Sequence, residues 1–571
     1  MNSKLNTWGK ILLLLLACFL LGKPAFAKHS KIAAELDAAN PDSDVDVIVQ
    51  FTQTPTARHH AKVLNRGGQL KCELGVVKGG AYKLRASKLA ELANDPEVAH
   101  ISVDHSLRGT AKAPAGAMLD YYDAAVNARF GWQMGLDGSG IGVAVIDSGI
   151  INIPDLQDSK YRVVYSQNFT GSGSANDAYG HGSHVAGIVG GGGTNSTGSN
   201  YFYTFKGIAP NVNLINLRVL DQNGNGTDSA VISAIQQAIS LQAQYNIRVI
   251  NLSLGRPVYE SYTLDPLCQA VESAWNAGIV VVVAAGNNGR DNSQGTNGYG
   301  TVSAPGNDPY VITVGAMKTM GTPTRSDDLI ASYSSKGPTA VDYVAKPDLV
   351  APGNLIISLY TKGLTLASSY PGNEIPNSLY QTKGNTNVSS TYYRLSGTSM
   401  AAPMVSGAVA LMLQQNPSLT PDQVKARLML TAYKTFPPCS IATDPVTGQV
   451  YVSNYDIFTV GAGYLDIQAA LNDTDVAVGD ALSPTINYDI TSGNVFLMTG
   501  TRSVWGTTVV FKPRSVWGTT LDVQVGDAGG YTSTVADDSA IQAFITLTKT
   551  RSVWGTGTSF VDATSILING E

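Results

Sequence analysis

The stretch Ile141–Asp147, IGVAVID, decides how the fold is read. It is apolar throughout and ends in an acid. A strand with one wet face alternates apolar and polar residues, whereas a strand covered on both faces does not. The run therefore predicts a buried strand in a parallel sheet. It sets Asp147 at the C-terminal edge, where open α/β sheets build their sites. Further runs of the same kind stand at 211–220 (NVNLINLRVL), 247–254 (IRVINLSL), 278–286 (GIVVVVAAG) and 311–316 (VITVGA). Helical spacing fills the intervals, as at 228–245. A capped helix is expected within 418–432, with Thr420 as cap, Pro421 in first position and Gln423 completing a capping box. From about 120 onward the expected class is α/β with a mainly parallel sheet.

The whole chain has 571 residues, of which 43% are hydrophobic and 14% charged, so a large core is expected. The formal net charge of −5 gives no electrostatic case for a nucleic-acid partner. Near the N-terminus Lys4 and Lys10 precede ILLLLLACFLL (11–21), too short to span a bilayer comfortably. AFA at 25–27 follows with the small residues that a signal peptidase reads. Residues 1–27 are accordingly read as a signal peptide, and a secreted or cell-surface location is expected. LLAC, ending at Cys18, resembles a lipoprotein box, but the apolar run continues past Cys18, which argues against lipid attachment. The four cysteines, Cys18, Cys72, Cys268 and Cys439, do not make a disulfide scaffold; in an exported chain Cys268 and Cys439 are free to pair or not.

Residues 28–112 read as a small α+β unit. DVDVIVQF (44–51) alternates like a strand, and 87–104 reads as a helix ending near Pro96 followed by a strand. RGTAKAPAGA (108–117) is a flexible link. From 473 to 571 helical periodicity fades, and a β-rich region is expected. RSVWG recurs there at 502–506, 514–518 and 551–555. Each Trp either packs a strand turn onto a neighbour or stands exposed to bind wall or carbohydrate.

DAYGHGSHVAG (177–187) sets His181 and His184 three positions apart at the start of a helix. A helical zinc pair sits at i and i+4 with a glutamate between. That spacing and that carboxylate are missing here, so no metal site is expected. Acid–base work needs partners, and two stretches supply them. Asp147 ends its strand, and LSGTSMAAPMVSGAVALML places Ser399 just ahead of an apolar helix, with Pro403 in the first turn. A serine hydroxyl is a poor nucleophile until a base takes its proton. Imidazole is suited to that task, and a buried carboxylate holds its tautomer. A histidine in a helix's first turn also feels the positive dipole end, which favours the neutral ring.

VAVIDSGI, HGSHVAGIV and GTSMAAPMVSGAVAL, in this order, resemble the three signature blocks of subtilisin-like serine proteases (peptidase S8, the subtilases). The resemblance spans roughly 125–472. It implies a three-layer catalytic domain over 120–472, preceded by an inhibitory propeptide (28–112) and followed by a β-rich appendage. It further implies that Asp147 orients, His181 is the base and Ser399 the nucleophile, while His184 is structural. Asn287, in AAGNNG, becomes the oxyanion donor. Ser253, Leu254 and Gly255 resemble one wall of the pocket for the residue before the cut, and Ala284, Ala285 and Gly286 the other. GNGTD (224–228) resembles the strand on the far side, and Ser303 a pocket floor where the family often has glycine.

The implied protein is an exported serine endopeptidase acting through an acyl-enzyme, a monomer needing no cofactor for its chemistry. Its partners are protein or peptide substrates and its own propeptide, an intramolecular inhibitor released by a cut within 104–120. Structural calcium is usual in the family, but no site is assignable; Asp221 and Asp291 read as solvated loop residues. Two alternatives stand beside this reading. One is a narrow-specificity maturation protease, suggested by the insertion at 363–393; the other is a non-catalytic surface binding protein using the Trp motifs. The tail is expected to be dispensable, a chain ending at about 475 keeping its chemistry.

Overall fold

The computed structural model describes residues 31–108 and 121–489, apart from 158–160, 172, 385, 438 and 445–447, and three short strand segments further on. The expected signal segment with Cys18, positions 109–117 of the link and all three RSVWG motifs lie outside the described residues.

The N-terminal unit is built from β1 (Asp44–Phe51), α1 (Ala57–Leu64), β2 (Gln69–Leu74), β3 (Gly79–Arg85), α2 (Leu89–Ala93) and β4 (Val98–Val103). Its strands form an antiparallel sheet in the order β2-β3-β1-β4. α2 stops short of Pro96, as the restricted backbone before a proline requires. Val47, Val49, Phe51, Leu84, Leu92 and Ile101 give this unit its own small core. A short strand, β5 (Ser106–Arg108), follows.

The main sheet contains β6 (Gly142–Asp147), β7 (Val163–Asn168) and β8 (Asn213–Arg218); β9 (Asn225–Thr227) comes next in the chain but lies outside it. The sheet continues with β10 (Ile247–Leu252), β11 (Val280–Ala284), β12 (Ile312–Lys318), β13 (Leu329–Ile330) and β14 (Leu349–Pro352). The order is β13-β12-β11-β10-β6-β8-β7, with β14 also on β12. Only β13 runs antiparallel. β6, β11 and β12 are buried along their whole lengths. Successive side chains point to opposite faces, so both faces of the sheet are covered. The cover comes from α3 (His181–Gly190), α4 (Asp228–Ser240), α5 (Pro266–Asn276), α6 (Thr398–Gln415) and α7 (Pro421–Thr431). α3 packs with α6, and α4 with α5. Thr420 and Gln423 form the expected box at the start of α7.

The two units are bonded together. Asp104, just after β4, accepts from the Ser229 backbone N–H at 2.8 Å and from Ser229 Oγ at 2.7 Å, capping α4 from outside its own unit. Glu260 accepts from Ser102 Oγ and His100 Nε2, both at 2.8 Å. Beyond Asp104, β5 pairs antiparallel with β9.

Two observations concern the rest of the chain. Cys268 is buried in α5 with its thiol on Asn307 Oδ1 at 3.4 Å, whereas Cys439 is exposed; both are free, so no disulfide joins them. Packing also continues past 472. Ser483 Oγ accepts from Lys425 Nζ at 2.9 Å and donates to Asp348 Oδ1 at 2.5 Å, where Lys346 Nζ also reaches Asp348 at 2.7 Å. All three ionic side chains are fully buried. Buried charges are tolerable only when each is fully partnered. A chain ending at 475 strips Ser483 from this cluster, at a cost of about 1–3 kcal/mol for the groups left short of a partner. Thermal and denaturant melts of chains ending at 475 and at 490 should show the shorter one measurably less stable; equal stability would mean that the cluster does not depend on Ser483.

Candidate active site

Asp147 is the last residue of β6, and its side chain is fully buried. Its Oδ1 accepts from the Ser148 backbone N–H at 2.7 Å and from His181 Nδ1 at 2.8 Å. The hydrogen on Nδ1 fixes the neutral tautomer, so Nε2 carries the lone pair. Nε2 has no hydrogen-bond partner among the described residues.

His181 is the first residue of α3, and the chain enters it through Gly180 at φ +111°, a left-handed conformation that favours glycine. The entry loop is tied by a carboxylate that sequence reasoning missed. Asp177 Oδ1 accepts from Ser148 Oγ at 2.8 Å and from the Tyr179 and Gly180 backbone N–H groups at 3.0 and 2.7 Å. Its Oδ2 accepts from the Ser183 N–H at 2.9 Å. The signal was available, since an Asp ahead of a helix start is a natural cap. Ser148 Oγ in turn accepts from the Gly182 N–H at 2.9 Å. A Cβ on Gly182 would stand 2.2 Å from the Gly149 carbonyl, so the helix meets the strand end backbone to backbone.

The pKa of His181 departs from the helix-dipole expectation. Burial pushes it down, but the charge and hydrogen bond of Asp147, with the charge of Asp177, outweigh burial and raise it above the ordinary imidazole value. His184 behaves as expected of a packed residue. Its Nε2–H reaches the carbonyls of Ile356 and Tyr393, both at 3.1 Å, while burial and the neighbouring His181 push its pKa down to about 3.

Ser399 lies inside α6, as its second residue rather than ahead of it, and Pro403 sits in the second turn rather than the first. Ser399 Oγ donates to the Ser253 carbonyl at 3.1 Å and not to His181 Nε2. The structure thus joins Asp147 to His181 and Ser399 to Ser253. It sets both pairs at the C-terminal ends of the neighbouring strands β6 and β10, where α3 and α6 pack together. Asn287 follows β11. Its Oδ1 accepts from the Thr398 N–H at 2.9 Å and from Thr398 Oγ1 at 3.0 Å, which turns the amide nitrogen toward Gly397.

The two expected pocket walls are bridged by one segment. Ser303 N–H donates to the Ala285 carbonyl at 2.9 Å, and Arg256 N–H to the Ala304 carbonyl at 3.0 Å. A Cβ on Gly286 would stand 2.5 Å from Ser303 Oγ, and one on Gly255 3.0 Å from Ser303 Cβ. Ser303 therefore lies between the two glycines and touches both walls. Leu254 and Ala284 are buried beside them. The insertion at 363–393 contributes two strands, β16 (Glu374–Pro376) and most of β17 (Val388–Leu395); β17 pairs with β16 on one side and with β15 (Ile356–Leu359) on the other. It braces the loop that leads into His181: the Thr365 and Leu366 N–H groups donate to the carbonyls of Ala178 and Tyr179 at 3.1 and 3.0 Å. Asp221 and Asp291 tie the backbones of their own turns. Among the described residues no group of three or more His, Cys, Asp or Glu side chains is arranged to hold a metal ion, and no helix is long and apolar enough to cross a membrane.

The sequence model of the Subtilase family matches residues 138–463. The chain is 39% identical over 325 residues to "Serine protease AprX" of Bacillus subtilis (strain 168), covering 55% of this chain and 66% of that protein. It is 32% identical over 464 residues to "Subtilisin E" of the same organism, covering 80% of this chain and 97% of the relative. Among solved structures it resembles fervidolysin from Fervidobacterium pennivorans, described as a keratinolytic enzyme related to subtilisin. The TM-score is 0.56 at 21% identity, over 81% of this chain and 67% of that one, a likeness of fold.

Only the neutral imidazole can accept a proton. With its folded-state value raised above 6.5, His181 is protonated at and somewhat above that pH. With His181 as the base, the acid limb of kcat/KM against pH should have its midpoint above pH 6.5, and Asp177→Asn, which removes one raising charge, should move the midpoint down. An unmoved midpoint in a folded Asp177→Asn variant would remove Asp177 from the electrostatics of the base.

Proposed function

This chain belongs to the subtilase family of serine peptidases, and from that premise we propose that it is an exported endopeptidase that cuts peptide bonds through an acyl-enzyme on Ser399. One observation carries the assignment of roles: a fully buried Asp147–His181 hydrogen bond of 2.8 Å that leaves Nε2 without a partner among the described residues at the C-terminal end of β6.

In the proposed reaction, Ser399 Oγ leaves the Ser253 carbonyl and turns to His181 Nε2, which takes its proton as Oγ attacks the substrate carbonyl. Asp147 keeps the imidazole in one tautomer and stabilises the imidazolium. The oxygen that gains charge is met by the Asn287 side-chain amide and the Ser399 N–H, donors fixed before the reaction begins. His181 then returns the proton to the departing amine, and water repeats the sequence on the ester. No step asks for a cofactor.

Substrate binds as an extended strand. The antiparallel pairing of β5 with β9 supports this, since a segment of the chain itself already lies along 225–227 as an added strand. We read residues 28–112 as a propeptide that occupies the cleft in this way. Asp104 and β5 bond it to the main unit, which supports a maturation cut in the later part of 104–120. The serine across the pocket floor favours small side chains before the cut. The appendage begins after the packed segment ending near 486.

A fluorophosphonate probe tests the nucleophile: wild-type protein should be labelled and Ser399→Ala should not, while labelling of both would move the assignment elsewhere. Profiling with peptides that vary the residue before the cut tests the floor. Ser303→Gly should raise kcat/KM for large apolar residues relative to alanine by ~10-fold, the scale of a one-group change in pocket size. An unchanged ratio would place the specificity pocket away from Ser303.

A further inference from the structure

We propose that Ser253, oriented by Asn251 and Ser406, is a positioning residue that fixes the first turn of α6 and thereby the attack geometry of Ser399. The inference rests on the reading of Ser399 as nucleophile. It starts from Pro403, whose ring nitrogen cannot donate to the carbonyl four residues back. That carbonyl belongs to Ser399. Left bare in a buried helix turn it would be destabilising.

Ser253 supplies the missing donor. Its Oγ–H reaches the Ser399 carbonyl at 2.8 Å. A hydroxyl has one proton to give, and its direction is set by what it accepts. Asn251 Nδ2 donates to Ser253 Oγ at 2.9 Å, so the Ser253 proton is committed to Ser399. Asn251 is oriented in turn by Ser406 Oγ, which donates to its Oδ1 at 2.8 Å. Asn251, Ser253 and Ser406 are all fully buried, and each donor in the chain points the same way. Ser406 stands two turns beyond Ser399 on the same face of α6, so the helix is bonded to the end of β10 at two levels. The Ser253 carbonyl meanwhile receives Ser399 Oγ at 3.1 Å. One residue thus grips the nucleophile by its backbone and parks its hydroxyl. Neither Asn251 nor Ser406 has any part in the acid–base steps.

The test compares kcat, KM and the rate of fluorophosphonate labelling in full-length variants. Ser253→Ala should lower kcat and the labelling rate ~10-fold or more with KM nearly unchanged, the signature of a misplaced reacting atom. Ser253→Thr keeps the hydroxyl and should restore most of that loss. Asn251→Asp is isosteric but accepts where the amide donated; Ser253 must then turn its proton to the new carboxylate and release Ser399, so the loss should match that of Ser253→Ala. The acid-limb midpoint should not move in the Ser253 variants, since the base is untouched. Wild-type rates in Ser253→Ala, or equal losses in the Ala and Thr variants, overturn the proposal. Should Ser253→Ala fail to fold, Ser406→Ala against Ser406→Thr makes the same comparison, and equal rates in those two overturn it as well. Absence of labelling in the wild type, or labelling of Ser399→Ala, instead strikes the nucleophile assignment.

Discussion

A carboxylate and an imidazole, both fully buried, share one hydrogen bond. The Asp147–His181 contact needs the last residue of a central strand and the first residue of a helix to meet within hydrogen-bond distance. Much of the surrounding structure serves that meeting. Gly182 lets the two backbones touch, Asp177 gathers the N–H groups of the entry loop, and Ser148 links the strand end to both. Electrostatics follow from the same crowding. Two acids beside a buried ring hold it more basic than burial or the helix dipole would allow.

The parallel sheet was legible because its strands are buried on both faces, and continuous apolar runs such as Ile141–Asp147 and 278–286 report that directly. Caps at Thr420 and Gln423 were legible because capping chemistry is local. Contacts between residues distant in the chain were not. Nothing near Ser253 reveals that Pro403 has emptied a carbonyl for it, and nothing near Ser483 reveals a lysine pair waiting at 346 and 425. Position within a helix was misjudged at Ser399 for a similar reason. The helix begins at Thr398, whose N–H and hydroxyl are both taken by Asn287 from another strand end.

Insertions and extensions are built into the framework rather than hung upon it. The segment before Ser399 supplies two strands and braces the loop that enters at His181. The N-terminal unit lends a carboxylate to a helix of its neighbour, so α4 is capped from within and from without. Each connection makes the site depend on residues far from any reacting atom.

The cluster around Lys425 also bears on timing. Lys425 and Ser483 are separated by 58 positions. Until residue 483 has been made, the Lys425 ammonium lacks one of its partners and the Asp348 carboxylate another. A nascent chain short of that point cannot complete the buried cluster. The last layer of the core becomes a clasp that shuts only when synthesis of the peptidase body is done.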